Sequence, residues 1–317
     1  MNRQTEIAAA EWADPVFGGA ADLATREAYA VDGLVPQAVL FPRSQDALAE
    51  TLKAASERGL ALIPCRNKTK LSTGNIPRRY DAALCLKEMN AVWRYEPDDL
   101  TASAEAGIKL GDFQRLLSRH GLWIPVDPQG GEKASLGGIV AANASGPLRL
   151  KFGTPRDFVI GMKIATPAGK IVKAGGHVVK NVAGYDFCRL LTGSYGALGV
   201  IAEISFKLFP LPEGRSSWRA AIPNLKAARE FRRRILDSPL GPMRMVLMDG
   251  VASALAAQAP VMQRSERKPE AGAEMWLEFG GSEEVINRCA RSLAELAKSV
   301  EISFQPLGAE AAEVGWG

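Results

Sequence analysis

Three segments of this sequence combine small, hydroxyl and glycine residues in a pattern that suits the binding of a phosphorylated ligand. They are Pro64–Gly74, Ala134–Gly146 and Gly193–Ile201. In the first, successive backbone N–H groups can form an anion-binding nest, and two lysines add positive charge. In the second, small residues let the backbone approach a ligand closely, and we expect Gly138 to need a positive φ. Each segment alone is better explained by tight-turn chemistry, so the prediction depends on their order and spacing.

Known nucleotide-binding patterns are not found in these segments. The P-loop pattern G-x-x-x-x-G-K-[ST] does not occur. No strand precedes a G-x-G-x-x-G sequence, so a Rossmann dinucleotide site has no support.

The elements around the first segment predict a strand, a helix and a second strand. An apolar run at 38–41 is followed by helical spacing between Ser44, a good N-cap, and Gly59. A second apolar run at 60–63 then leads into the Pro64–Gly74 loop, which makes a βαβ unit. Further elements are expected as strands at 82–86, 92–95 and 101–105, a helix at 110–119 and a hairpin at 161–173.

The final strand of this first part shows a clear alternation of side chains. Ile204, Phe206 and Leu208 would lie on one face, and Glu203, Ser205 and Lys207 on the other. Prolines at 210 and 212 follow, so we place a domain boundary after residue 212.

The second part predicts a β-α-β-β-α-β series, which is typical of a ferredoxin-like sandwich. Its elements are strands at 218–222, 243–248 and 275–279, helices at 225–236 and 282–298, and a last strand at 300–304. The arginine run at 232–234 lies on the first helix, and we interpret it as a solvated helix face.

Three stretches of the chain resemble one known superfamily. They are Ser135–Gly146, Gly153–Gly161 and Gly176–Asp186, and their specific parts read GPLRLKFGTPRDFVIG and VKNVAGYD. Over about Val39 to Pro212 the chain resembles the vanillyl-alcohol-oxidase and p-cresol-methylhydroxylase superfamily, and within it the FAD-binding subunits of bacterial glycolate oxidases. The resemblance implies an α+β fold: a two-part FAD-binding domain of the p-cresol-methylhydroxylase type at 30–212 and a small ferredoxin-like cap at 213–317.

The resemblance also implies which residues bind FAD. The first loop carries Arg66-Asn67-Lys68 where relatives usually have glycines, so this loop departs from the family pattern. The implied cofactor-binding residues are Arg66, Asn67, Lys68, Thr69, Leu71, Pro128, Ser135, Leu136, Gly137, Gly138, Asn143, Gly146, Gly196, Gly199, Val200 and Ile201. Lys180 and Tyr185 are the candidates for a catalytic role, with a helix start around Asp186 as the structural alternative.

Histidine is rare in this chain. Some members of the superfamily bind the flavin covalently through a histidine, but the first loop has none, so we expect non-covalent FAD. Hydroxy-acid dehydrogenases of the superfamily carry histidines in their second domain, whereas this chain has only His120 and His177. We interpret His120 as a helix-end residue and His177 as a packing or solvent-facing residue.

Composition excludes several other classes of protein. The net charge is only +4, so a nucleic-acid partner is not indicated. The four cysteines form no C-x-x-C pair, so the sequence predicts neither a zinc nor an iron–sulfur site. With no signal-peptide pattern and no long apolar stretch, we expect a cytoplasmic protein, attached at most peripherally to the inner face of the cell membrane.

The leading functional hypothesis is an FAD-binding subunit of a glycolate oxidase-like complex. Its partners would be a catalytic flavin subunit, an iron–sulfur subunit and a small 2-hydroxy acid. Two alternatives stay open: a stand-alone FAD-dependent D-2-hydroxy-acid dehydrogenase, and a flavin-binding scaffold without redox turnover.

Overall fold

The computed structural model describes residues 19–20, 23–177, 185–250, 252 and 273–316. Its strands are β1 Gly19–Ala20, β2 Ala38–Leu40, β3 Leu62–Cys65, β4 Ala82–Cys85, β5 Val92–Glu96, β6 Thr101–Glu105, β7 Leu122–Trp123, β8 Val159–Ala165, β9 Ile171–Gly175, β10 Val200–Lys207, β11 Phe209–Pro210, β12 Gly214–Ile222, β13 Arg244–Met248, β14 Ala273–Gly281 and β15 Phe304–Leu307. Its α-helices are α1 Leu23–Glu27, α2 Gln45–Glu57, α3 Leu110–Ser118, α4 Leu136–Ala141, α5 Arg149–Phe152, α6 Pro155–Phe158, α7 Phe187–Leu191, α8 Leu225–Leu236, α9 Glu283–Lys298 and α10 Ala309–Trp316.

The chain divides into two compact units. The first comprises Met1–Ile124, Pro128–Ala144 and Thr154–Phe209, and the second comprises Pro125–Asp127, Ser145–Gly153 and Pro210–Gly317. The second unit therefore takes two short segments from the middle of the sequence, which no local pattern indicates. The functional domain limits inferred from the sequence, 30–212 and 213–317, stay predictions.

The first unit contains two sheets. In the smaller one the strand order is β1-β2-β4-β3, and β4 pairs in parallel with both β2 and β3. The predicted βαβ unit is present, with Ser44 accepting the N–H of Ala47 at the start of α2. Its two strands are separated by β4, so the loop after β3 begins beside the end of β4.

The larger sheet of the first unit is antiparallel, with strand order β5-β6-β10-β8-β9. One face packs around the rings of Phe113, Phe158 and Phe206, which are fully buried. The polar face of β10 is buried as well. Glu203 accepts hydrogen bonds there from Lys163 at 2.7 Å and from Gln45 at 2.9 Å.

The second unit has one four-stranded antiparallel sheet with the order β13-β14-β12-β15. With α8 after β12 and α9 after β14, the series is β-α-β-β-α-β, and its strand order matches a ferredoxin-like layout. Phe231 and Leu293 bring the two helices onto one face of this sheet, in a core that includes Leu277. On α8, Arg233 and Arg234 both pair with Glu230, as expected of a solvated helix face.

The last strand starts later than the sequence indicates. We predicted a strand at 300–304, but β15 covers Phe304–Leu307. After α9 the chain is still turning: the N–H of Ile302 donates to the carbonyl of Ala297, and Glu301 has a φ of 57°. An apolar pattern cannot reveal this left-handed residue.

Candidate functional site

The first unit contains an open cleft at the end of β3 and the start of β10. It is built from residues far apart in sequence, and all three predicted segments contribute. The lining residues are Pro64, Cys65, Arg66, Leu86, Ala106, Ser135, Gly137, Gly138, Ala141, Tyr195, Gly196, Val200 and Ile201. Seven of these belong to the predicted cofactor-binding set, namely Arg66, Ser135, Gly137, Gly138, Gly196, Val200 and Ile201.

Helix α4 places two adjacent glycines, Gly137 and Gly138, at the cleft, and the two have different roles. The N–H of Gly137 donates to the carbonyl of Ala106 at 2.8 Å, and a Cβ at Gly137 would lie 2.7 Å from the Cβ of Ala106. Gly137 is therefore needed for packing. A Cβ at Gly138 would meet only the Ser135 hydroxyl, at 3.2 Å. Gly138 thus leaves open space beside the cleft, into which a ligand can approach the backbone.

The expected positive φ at Gly138 is wrong. Gly138 lies inside α4 and has helical geometry, because the helix already begins at Leu136. Ser135 is the N-cap and accepts the N–H of Gly138 at 3.3 Å, which also places its hydroxyl at the cleft. The side chain of Leu136 is buried in the core.

The first loop contributes one cation to the cleft, Arg66, whose Nε donates to the carbonyl of Gly107 at 3.1 Å. Asn67 connects this loop to its surroundings, because it accepts a hydrogen bond from Arg66 and donates one to the carbonyl of Lys133. Lys68 donates to the carbonyl of Ala28 at 2.7 Å. Lys68 therefore supports the loop from behind and does not line the cleft.

The remaining members of this loop have structural contacts. Lys70 donates to the carbonyl of Gln129 at 3.0 Å, and burial lowers its pKa. Thr69 packs against Gly130, and Leu71 packs on a small cluster that includes Tyr80. These contacts hold the loop in position, so the departure from the family's glycines is accommodated by side chains that bind neighbouring carbonyls.

The third segment forms a tight turn that ends at β10. Gly196 has a φ of 79° and lies close to Pro64, so the turn and the end of β3 form one wall of the cleft. Gly199 has a φ of 145°, and a Cβ there would lie 3.0 Å from the carbonyl oxygen of Ala165. Gly199 therefore shapes the turn, and Val200 and Ile201 line the cleft directly after it.

Nine of the predicted residues lie away from this lining, among them Pro128, Asn143 and Gly146. Pro128 accepts the N–H of Gly131, and Asn143, with a φ of 46°, accepts the N–H of Arg156. Gly146 belongs to the second unit, where its N–H donates to Asp127 at 2.9 Å.

The two catalytic candidates differ in what the structure describes. Lys180 lies outside the described residues. The side chain of Tyr185 is 88% exposed, and its ring meets the edge of the Phe187 ring. Asp186 accepts the N–H of Arg189 at the start of α7, which is the helix-start arrangement kept as the alternative.

His177 has a more defined environment than the sequence indicates. Its Nδ1 lies 3.0 Å from the Ser103 hydroxyl and 3.1 Å from the Ser205 hydroxyl, and the two hydroxyls lie 2.7 Å apart. Burial lowers the pKa of His177, and the positive charges of Lys173 and Arg94 lower it further. The neutral imidazole is therefore favoured, with Nδ1 able to accept from a serine.

Six residues of the lining are outside the implied cofactor-binding set. They are Pro64, Cys65, Leu86, Ala106, Ala141 and Tyr195. Four of them, Pro64, Cys65, Ala141 and Tyr195, lie within the three predicted segments. Sequence reasoning missed Leu86 and Ala106, although each lies at or just after the end of a predicted strand, and that position could have indicated them.

The comparison with protein families identifies the first part of the chain. Residues 36–175 match the family described as FAD binding domain. The chain contains an FAD-binding domain. This domain covers two of the three cleft segments, and the third follows it in sequence.

Curated relatives support the same assignment. The chain is 33% identical over 215 residues to "Glycolate oxidase subunit GlcD" of Bacillus subtilis, covering 68% of this chain and 46% of that protein. It is 44% identical over 138 residues to "Glycolate oxidase subunit GlcE" of Escherichia coli, covering 43% and 39%. It is also 32% identical to the mitochondrial cytochrome-type D-lactate dehydrogenase of Arabidopsis thaliana, covering 68% and 38%. The chain thus spans less than half the length of these relatives.

Two solved structures have folds similar to that of this chain. Alkyldihydroxyacetonephosphate synthase superposes with a TM-score of 0.77 at 19% identity, covering 94% of this chain and 60% of that one. p-Cresol methylhydroxylase superposes with a TM-score of 0.68 at 15% identity, covering 86% and 58%. The predicted α+β fold of the p-cresol-methylhydroxylase type is confirmed.

The residues of the cleft are chemically suited to FAD. The open space at Gly138, the small side chains at Ala106 and Ala141, and the hydroxyl of Ser135 allow a close approach by a phosphate or a flat ring. Arg66 supplies a positive charge at the rim.

Among the described residues, no helix is long and apolar enough to cross a membrane.

Proposed function

We propose that this chain is the FAD-binding subunit of a heteromeric glycolate oxidase-like complex that oxidises a 2-hydroxy acid. The observation that carries the proposal is the cleft in which Gly138, Ser135 and Gly196 converge from separate segments of an FAD-binding domain. The glycolate oxidase and D-lactate dehydrogenase relatives support the substrate class.

We assign the residues of the cleft to the cofactor as follows. Ser135, Gly137 and Gly138 offer a hydroxyl and an accessible backbone to the phosphate region, and Arg66 neutralises charge at the rim. Gly196, Val200 and Ile201 form the facing wall. The other predicted residues support this arrangement from outside the lining. When bound, FAD supplies the hydride-accepting chemistry that the oxidation of a 2-hydroxy acid requires.

The proposed partners would supply acid–base and electron-transfer chemistry. A second, catalytic flavin subunit would abstract the proton from the substrate. An iron–sulfur subunit would carry the electrons onward. Relatives that bear the names of two different glycolate oxidase subunits support a multi-subunit complex. Any attachment to the inner face of the membrane would be peripheral and through these partners.

The test compares the isolated chain with the complex purified from its natural source. We expect the isolated chain to bind one FAD and to show negligible turnover of glycolate or D-lactate with an artificial dye. The complex should turn over, and the flavin of this subunit should be reduced on the time scale of catalysis.

Two outcomes would contradict the proposal. Robust turnover by the isolated chain would identify it as a stand-alone dehydrogenase. A complex that turns over while the flavin of this subunit stays oxidised would identify it as a scaffold.

A further inference from the structure

Two cysteines lie side by side at the wall of the cofactor cleft. Cys65 ends β3, Cys85 ends β4, and the two are direct partners in the parallel register of these strands. Neighbouring strands are separated by about 4.8 Å, which falls within the Cα–Cα range of disulfides, about 4.4–6.8 Å. Both side chains are free thiols in the structure, and the sulfur of Cys85 lies 3.9 Å from the carbonyl oxygen of Arg66. The backbone therefore already holds this pair at a bonding distance.

The two thiols have different surroundings. Cys65 is partly exposed and lines the cleft, whereas Cys85 is fully buried beneath it. The hydroxyl of Tyr29 donates to the sulfur of Cys85 at 3.2 Å. Cys65 belongs to the Pro64–Gly74 segment, but neither thiol has a role in the proposed 2-hydroxy-acid chemistry.

The two thiols differ in acidity. The pKa of Cys85 is lowered, chiefly by its interaction with the Cys65 thiol and also by the hydroxyl of Tyr29, while burial opposes this effect. The pKa of Cys65 is raised by its interaction with Cys85 and by burial. Cys85 can therefore take up the proton that Cys65 gives up when it reacts.

We propose that Cys65 and Cys85 form a redox-active dithiol that reacts with small-molecule disulfides entering through the cofactor cleft. Cys65 passes its proton to Cys85, and the Cys65 thiolate attacks one sulfur of the disulfide. A mixed disulfide forms on Cys65, and the leaving thiolate takes the proton from Cys85. The Cys85 thiolate then attacks the Cys65 sulfur, closing the protein disulfide and releasing the second thiolate. Two protein thiols are oxidised while one small disulfide is reduced to two thiol products.

This inference rests in part on the proposed function, because FAD in the cleft would cover the sulfur of Cys65. Cys65 also lies at the start of the Pro64–Gly74 loop, directly before Arg66. A Cys65–Cys85 disulfide would fix the start of this loop to β4. The dithiol would consequently react in the FAD-free chain and be protected in the FAD-bound chain.

The experiment uses the full chain, fully reduced, with FAD removed by high-salt dialysis or restored to saturation. The probe is 2-hydroxyethyl disulfide, which is small and uncharged. We expect the FAD-free chain to lose the mass of two hydrogens and to yield a cross-linked peptide pair containing Cys65 and Cys85. FAD saturation should slow this reaction at least about tenfold, since the cleft is then occupied. Cys188 and Cys289, both buried elsewhere, serve as internal controls.

Two variants test the order of the steps. Cys85→Ala should stop at a mixed disulfide on Cys65, and Cys65→Ala should leave Cys85 unreacted. A folded, FAD-free wild-type chain that forms no Cys65–Cys85 cross-link would overturn the proposal, as would equal reactivity of Cys85 in the Cys65→Ala variant. A flavin titration made beforehand separates the two hypotheses. A chain that binds no FAD but still closes the disulfide refutes the proposed function alone.

Discussion

Gly137 rests directly on Ala106: a Cβ at Gly137 would lie 2.7 Å from the Cβ of Ala106 and 2.9 Å from its carbonyl oxygen. Ala106 follows β6, and Gly137 lies in the first turn of α4. This contact sets the distance between the helix and the larger sheet of the first unit. It therefore fixes the position of Gly138, the next residue along the helix, at the cleft.

The two adjacent glycines should respond differently to the same substitution. Gly138→Ala should weaken FAD binding at least about tenfold, with the melting temperature nearly unchanged, because its Cβ displaces the ligand and meets only the Ser135 hydroxyl. Gly137→Ala should lower the free energy of unfolding by about 1–3 kcal/mol through overpacking against Ala106. Flavin titration and thermal unfolding measure both. Wild-type FAD affinity in a folded Gly138→Ala protein would remove α4 from the cofactor site.

The flavin should be released when the protein is denatured. The loop that would carry a covalent link in some relatives contains no histidine between Pro64 and Gly74. Acid precipitation of the purified protein should therefore leave yellow flavin in the supernatant, as measured by its absorbance. Flavin that stays with the washed pellet would contradict this prediction.

The buried carboxylate of Glu203 should depend on Lys163. The Glu203 side chain is only 5% exposed, and Lys163 lies 2.7 Å away. Lys163→Met would leave the Glu203 charge in the middle of β10 with only the hydrogen bond from Gln45, and should cost about 2 kcal/mol in the free energy of unfolding, since Lys163 itself is partly solvated. The double variant Lys163→Met/Glu203→Gln should recover much of this loss in urea denaturation. Equal stabilities of the single and double variants would rule out a charge effect.

His177 should make stability depend on pH below neutrality. Its pKa in the folded protein lies below the usual 6.5. Between these two values the unfolded chain binds more protons, so stability is complete above pH 6.5 and is lost as the pH falls toward the folded pKa. His177→Asn keeps a hydrogen-bond acceptor without titrating, so its stability should change less between about pH 7.5 and about pH 5.5. Identical slopes for variant and wild type in urea denaturation would refute this assignment.

Much of the fold could be predicted from the local sequence. The helix predicted at 225–236 matches α8, and the strand predicted at 101–105 matches β6. N-cap residues such as Ser44, together with apolar spacing, specify these elements without reference to distant parts of the chain. The convergence of the three small-residue segments was also predicted, but from the resemblance and not from local pattern.

The errors and omissions have a common physical cause. The distinct roles of Gly137 and Gly138 depend on Ala106, about thirty residues earlier in the sequence. Likewise, Ser205 and Glu203 alternate with apolar residues, a pattern that is typical of a strand with one solvated face. Both are nevertheless buried, where Ser205 is hydrogen-bonded to Ser103 and Glu203 to Lys163. Non-local pairing decides each of these cases, and no short window of sequence contains it.

The pairing of β6 with β10 also determines when the cofactor cleft can form during synthesis. Thr101 on β6 pairs with Lys207 on β10, so about one hundred residues of chain must be made between the two strands. Val200 and Ile201, at the start of β10, complete the wall of the cleft. Until they emerge from the ribosome, the nascent chain presents β6 and β8 without the strand that joins them. Flavin capture is therefore confined to the late stage of folding, and before it these unpaired edges are open to aggregation.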